Sequence, residues 1–232
     1  MKKVSIIVKE VLAHLSNPYP SQSRSSSPLF VALQGPQGSG KTFLTEHVKN
    51  ELSCAVEQHP ALRVATLSID DLYLPHIRLK AVASSNPENT LLRGRGQPGT
   101  HDIALGLTLL HSLKEINRSP TDNLRIPRFD KSLFNGEGDR LPETEWTPVH
   151  GPLDVVLLEG WCVGFYPQSP HYIEQRMNEL PLGLEQTFDT SAYTLEHVLE
   201  VNQRLAEYAK WWELFDVFIQ VCRFSFGRTS IT

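Results

Sequence analysis

An α/β fold, with a mostly parallel sheet covered by helices on both faces, is predicted by three features of the 232-residue sequence. Short, almost uniformly apolar runs recur at residues 29–34, 64–68, 155–159 and 217–222, the pattern of strands buried on both faces. Stretches of helical periodicity at 42–52, 103–117 and 193–212 lie between them in sequence, and such alternation is the mark of a parallel sheet. The first run also leads directly into a glycine-rich stretch, Gly35-Pro36-Gln37-Gly38-Ser39-Gly40-Lys41-Thr42.

The elements follow in order. Val4, Ile6, Ile7, Val11, Leu12 and Leu15 recur at helical spacing, so residues 3–16 are expected to form an amphipathic helix that packs on the sheet. Residues 16–28 are dense in Ser and Pro and read as a loop, which makes 1–28 an N-terminal extension and 29–232 the main domain. Residues 73–100 and 120–152 are rich in Pro, Gly, Asn and charge and show little periodicity. Loops that long in a compact domain are functional or disordered. Trp161, Trp211, Trp212, Tyr208 and Phe215 are read as packing residues, since Trp211 and Trp212 end a helical pattern with Val198, Val201, Leu205 and Tyr208.

Composition narrows the function. Lys and Arg total 22 against 26 Asp and Glu, with no cationic run able to track a phosphate backbone or an anionic membrane, so neither nucleic acid nor membrane is expected as a partner. No apolar stretch approaches the ~20 residues of a bilayer span, and the first residues lack a signal-peptide pattern. Three widely spaced cysteines and no metal-ligand spacing among the histidines fit a reducing compartment and no structural metal. A cytoplasmic protein is expected, with nuclear entry left open.

Gly35, Gly38, Gly40, Lys41 and Thr42 spell G-x-x-x-x-G-K-T between an apolar strand and a helix, the context that this phosphate-binding motif requires. Its glycines, with Pro36, Gln37 and Ser39 between them, let backbone N–H groups converge on phosphate oxygens at a helix N-terminus. Lys41 is expected to reach the β and γ phosphates and Thr42 to give its hydroxyl to Mg²⁺. A P-loop NTPase fold binding ATP and Mg²⁺ follows. The run 155–159 ends in Glu159. If that strand is parallel to the first, Glu159 lies beside the loop and can hold Mg²⁺; otherwise it is a solvated strand-end acid. The run 64–68 ends in Asp70-Asp71, an arrangement suited to a kinase, whose acceptor hydroxyl needs a carboxylate within hydrogen-bond reach. Asp70 is the candidate base, and Asp71 reads equally as a cap or turn former.

These pieces, taken with Arg95-Gly96-Gln97-Pro98-Gly99-Thr100-His101-Asp102 and Phe129-Asp130-Lys131-Ser132, resemble the plant and fungal glycerate kinase family, a branch of the uridine kinase, phosphoribulokinase and pantothenate kinase group. The resemblance covers roughly residues 29–221. It implies that Asp70 is the catalytic base, acting with Lys41, and that Tyr73 lies near the acceptor. It further implies an acceptor-binding insertion with Asp130, Lys131 and Arg140, joined by Arg95, His101 and Asp102 from the preceding string. His101 is either an acceptor contact or a support for Asp102. A small anionic acceptor such as glycerate needs a cation, and Arg95, Arg128, Lys131 and Arg140 are the candidates in these loops.

Strings typical of GTP switches and transporter ATPases are absent, so an ATP-dependent small-molecule kinase is the expected function. In related kinases the strand matched by 217–221 is followed by a helix and an Arg-bearing lid. Residues 223–232 match neither, with only Arg223 and Arg228 to substitute. On that comparison the chain is expected to bind nucleotide but transfer phosphate poorly, and the alternative is an ATP-binding regulatory or scaffold protein.

Overall fold

In a computed structural model the chain is described over residues 2–16, 27–55, 60–118, 124–179 and 193–221. Most of the predicted Ser/Pro-rich loop, and the segment from 222 onward for which no lid was expected, lie outside these residues. The elements are α1 (Lys2–Ser16), β1 (Leu29–Gln34), α2 (Lys41–Ser53), β2 (Val64–Ser68), α3 (His76–Ser85), α4 (Ile103–Glu115), β3 (Arg125–Ile126), β4 (Phe129–Asp130), β5 (Asp139–Arg140), β6 (Thr147–Pro148), β7 (Val155–Gly160), α5 (Pro170–Asn178), α6 (Leu195–Arg204), α7 (Ala209–Trp212) and β8 (Val217–Gln220).

The main sheet has the order β2-β7-β1-β8, and every pairing is parallel. Alternate residues of its strands enter two separate cores. Phe30 and Ala32 of β1 and Val156 and Leu158 of β7 face α4 and the Tyr208–Trp212 region. Val31, Leu33, Val155 and Leu157 face α1 and α2, where they meet Val4, Ile7, Val8, Val11, Leu44 and Val48. Each large apolar side chain removed from water in this way contributes on the order of 1.5–3 kcal/mol. β8 departs from the expectation of two-sided burial. Val217 and Ile219 pack toward α1 and α2, but Phe218 on the opposite face is 54% exposed.

The stretches read as irregular contain structure. After Tyr73 the chain forms α3 and a 3₁₀ turn at Thr90–Leu92, and residues 124–148 form two short antiparallel ribbons, β3 with β6 and β4 with β5. α3 and α5 each bury a single apolar residue, Leu79 and Ile173, so neither carries an apolar stripe that periodicity could detect. The long C-terminal helix expected at 193–212 starts at Leu195, where the Thr194–His197 capping box closes its first turn, and tightens to 3₁₀ at Leu205–Tyr208 before α7. Among the described residues no helix is long and apolar enough to cross a membrane.

Candidate functional site

Parallel register brings the candidate motifs to one edge of the sheet. Glu159 of β7 pairs with Leu33 of β1 on one side and with Ser68 of β2 on the other. The P-loop therefore leaves β1, and the Asp70-Asp71 turn leaves β2, on either side of Glu159, at the carboxyl ends where such sheets bind ligands.

The loop itself is built for close approach to an anion. Gly38 and Gly40 hold φ of 72° and 81°, a region that costs glycine nothing and any side chain strain. α2 starts directly after Gly40 with no side-chain cap and no acid in its first turn, leaving its N–H groups and the positive end of its dipole to a ligand. Lys41 donates only a long bond, 3.4 Å, to the Pro36 carbonyl. Thr42 Oγ1 donates to Glu159 Oε1 at 3.0 Å, with the carboxylate only 5% exposed. A hydroxyl and a buried carboxylate in contact are the hard oxygen ligands that Mg²⁺ takes.

Ser68 caps the 3₁₀ turn Ile69–Leu72, and the turn sends its two acids in different directions. Asp70 faces the cleft, where Oδ2 accepts from Lys131 Nζ at 2.5 Å. Asp71 turns inward and accepts the Phe129 N–H at 3.0 Å; burial raises its pKa while that bond opposes the shift. Asp71 is therefore neither a helix cap nor a former of its own turn, which Ser68 caps, but a tie between that turn and β4. An open cleft of about 250 Å³ is lined by Gln37, Gly38, Gly40, Lys41, Thr42, Phe43, Asp70, Lys131, Glu159 and Trp161.

The other candidates stand around this cleft in a supporting network. Tyr73 is buried, stacks on His101 with ring centres 4.3 Å apart, and has its phenol held protonated by burial and by the nearby Asp70. His101 Nδ1 bonds the Tyr208 hydroxyl at 2.7 Å, and the same hydroxyl accepts the Gly99 N–H at 2.9 Å. Burial lowers the His101 pKa to about 3, so the ring is neutral. It does not support Asp102: that carboxylate caps α4 through Leu105 N–H and pairs with Arg140 at 3.1 Å and Arg78 at 3.7 Å. Arg140 also donates to the Tyr73 carbonyl at 2.7 Å. Asp102 and Arg140 are thus paired, with Arg140 Nε buried and unpartnered among the described residues, and neither is among the cleft-lining residues. Arg95 donates to the carbonyls of Gly136 and Glu137 and lies over the Phe129 ring, fixing the β4–β5 connection. Asp130 is engaged at its own turn, accepting from the Ser132 N–H and hydroxyl.

Sequence reasoning missed two cleft residues. Phe43 stands 64% exposed on the first turn of α2. Trp161, read as packing, reaches the cleft wall as well as the core, and its indole N–H donates to the Gly96 carbonyl at 3.1 Å. Its position one residue beyond β7, at the ligand-binding edge, was the available signal. The packing reading holds for Tyr208, Trp211 and Trp212, which are buried.

No family model matches the chain. A probable ATP-dependent kinase of Saccharomyces cerevisiae, TDA10, is 38% identical over 148 residues, or 63% of this chain and 49% of that protein. The uncharacterized kinase mug58 of Schizosaccharomyces pombe is 31% identical over 223 residues, 95% of this chain and 73% of its own length. Among solved structures, D-glycerate 3-kinase from Cryptococcus neoformans superposes with a TM-score of 0.79 at 36% identity, covering 94% of this chain and 72% of that one. The chain thus spans about half the length of the budding-yeast relative and nearly three quarters of the other two. Likeness at this identity over nearly all of the chain, joined to a P-loop and an acidic strand end at one sheet edge, places it: the chain belongs to the plant and fungal glycerate kinase family of ATP-dependent P-loop kinases.

Proposed function

We propose that the protein transfers the γ-phosphoryl group of ATP to a hydroxyl of a small anionic acceptor, with D-glycerate the first candidate. The observation that carries this reading is the meeting in one cleft of the P-loop, Asp70, Glu159 and the insertion residue Lys131. The Cryptococcus relative's name supplies the acceptor.

The chain's own groups divide the work. Backbone N–H groups of the loop and Lys41 bind the β and γ phosphates and stabilise charge that develops on the transferring group. Thr42 and Glu159 would hold Mg²⁺, which when bound neutralises phosphate oxygens. Asp70 orients the acceptor hydroxyl and takes its proton as the oxygen bonds to the γ phosphorus and the bond to the bridging oxygen breaks, releasing ADP. Tyr73, buried and not among the cleft-lining residues, acts from behind the turn that carries Asp70.

The test is ADP release by the 232-residue chain with ATP, Mg²⁺ and a panel of small hydroxyl compounds. D-glycerate is expected to raise ADP release above the acceptor-free rate, below the ordinary kinase range of roughly 1–100 s⁻¹. If no acceptor raises it above slow hydrolysis, the kinase reading fails and a nucleotide-binding regulatory role replaces it.

A further inference from the structure

The cleft contains a cation whose partner is the candidate base itself. Lys131 Nζ lies 2.5 Å from Asp70 Oδ2, with the lysine side chain 55% and the aspartate 25% exposed. Of the cations available to an anionic acceptor, two have fixed partners elsewhere. Arg140, 12% exposed, is bound to Asp102 and the Tyr73 carbonyl. Arg95 is bound to backbone carbonyls at the tip of the insertion. Arg128 is exposed but is not among the cleft-lining residues. Lys131 alone of the four lines the cleft.

Its backbone is well anchored. Asp71 holds the Phe129 N–H, Asp139 accepts the His76 N–H at 2.8 Å, Asp130 closes the turn onto Ser132, and Arg95 clasps the carbonyls at the tip. The hairpin is therefore a fixed mount carrying a flexible four-carbon arm with a point charge at its end. An ion pair this exposed is weak, so an incoming carboxylate can compete for the ammonium.

We infer that Lys131 is both the charge selector of the acceptor site and a gate on the base, paired with Asp70 when the site is empty and drawn away by an acceptor carboxylate. The inference rests on the kinase reading above. While Lys131 holds Asp70 Oδ2, the ammonium competes with water for that oxygen, which slows futile hydrolysis of bound ATP. A hydroxy acid supplies a carboxylate to the ammonium and a hydroxyl to the freed Asp70, whose uptake of the hydroxyl proton accompanies P–O bond formation as before. A neutral polyol brings the hydroxyl but leaves the gate closed.

The experiment compares wild type, Lys131→Met and Lys131→Arg in acceptor-free ATP hydrolysis and in turnover with D-glycerate and with glycerol. Lys131→Met should lose about 10–100-fold in kcat/KM for D-glycerate, the usual worth of a hydrogen bond to a charged group. Glycerol turnover and acceptor-free hydrolysis should rise, and Lys131→Arg should retain part of the preference for the acid. Calorimetric binding of D-glycerate in the presence of a non-hydrolysable ATP analogue separates the two layers of the argument. Binding lost in Lys131→Met supports the selector even if wild type shows no turnover, in which case the kinase reading alone fails. Equal losses for acid and polyol, or D-glycerate binding that is absent in wild type or unaffected by Lys131→Met, overturn the inference.

Discussion

Replacing Gly106 of α4 by alanine sets two effects of opposite sign against each other. In a helix interior alanine is favoured over glycine by about 0.8–1 kcal/mol, so on a free helix the change would stabilise. Here a Cβ at position 106 would lie 2.2 Å from Cζ2, 2.7 Å from Cε2 and 2.9 Å from Cη2 of Trp211. Carbon atoms rest at roughly 3.5–4.0 Å, so the indole must retreat by more than about 1 Å. It has little freedom to do so. Trp211 is fully buried, donates Nε1–H to the Ile103 carbonyl at 3.1 Å, and packs edge-on against Tyr208 and Trp212. Overpacking of this kind costs about 1–3 kcal/mol or more, and with a contact this short the upper end applies. The net expectation is destabilisation by about 1–2 kcal/mol, read as a lower urea midpoint at constant slope. In a Trp211→Phe background the clash is relieved, and Gly106→Ala should turn neutral or stabilising, a coupling of at least about 1 kcal/mol. Stabilisation by Gly106→Ala in the wild-type background would refute the argument.

Lys41→Ala and Thr42→Ala should each lower Mg·ATP turnover by on the order of 10²–10³ and weaken nucleotide binding, as measured by ADP release and equilibrium titration; unchanged affinity and turnover would remove the loop from the phosphate site. Asp70→Asn should lower acceptor phosphorylation by roughly 10²–10⁴ at unchanged ATP affinity. Asp71→Asn keeps an oxygen for the Phe129 N–H and should cost much less; the reverse ranking in steady-state kinetics would exchange their roles. His101 gives a pH signature. Its pKa is lowered from 6.5 to about 3 in the folded protein, so below 6.5 the unfolded chain binds a proton that the folded one refuses. The stability it contributes is complete above pH 6.5 and is lost as pH falls from 6.5 toward 3, at a limit of about 1.4 kcal/mol per unit. His101→Gln should flatten the stability profile between pH 6.5 and 5, where few carboxylates titrate, and identical slopes would count against it.

What could be read from sequence was local. The strand leading into the P-loop, the start of α2 and the acid ending β7 are each written in a few consecutive residues, and one assumption, a parallel sheet, was enough to bring Glu159 beside Thr42 from 117 positions away. Side-chain partners across long separations were out of reach. Nothing near His101 indicates that Tyr208 holds it, or that Arg140 closes onto both Asp102 and the Tyr73 carbonyl. The assignment of His101, Asp102 and Arg140 as acceptor contacts rests on the family resemblance, which places residues in a segment without showing what each one touches. In the fold each bonds a distant protein partner, while His101 Nε2 and Arg140 Nε stay buried without one among the described residues. α3 and α5 were missed because each rests on the protein by one buried side chain, too little to leave a period in the sequence.

The strand order also bears on how the chain is made. β1 emerges during synthesis well before both of its neighbours: Leu29 pairs with Val155, and Val31 with Val217. At ribosomal rates of about 5–20 residues per second, the β8 side of β1 waits on the order of 10–40 s for its partner. Throughout that interval the β8 edge of an apolar strand has unpaired backbone groups, which leaves nascent chains prone to aggregation. ATP cannot rescue them, since ligand stabilisation requires a formed site and this one depends on Glu159 being in register with β1. Nascent chains arrested before β7 should therefore be protease-sensitive with or without nucleotide, and nucleotide protection should first appear in chains long enough to expose β7 outside the ribosome.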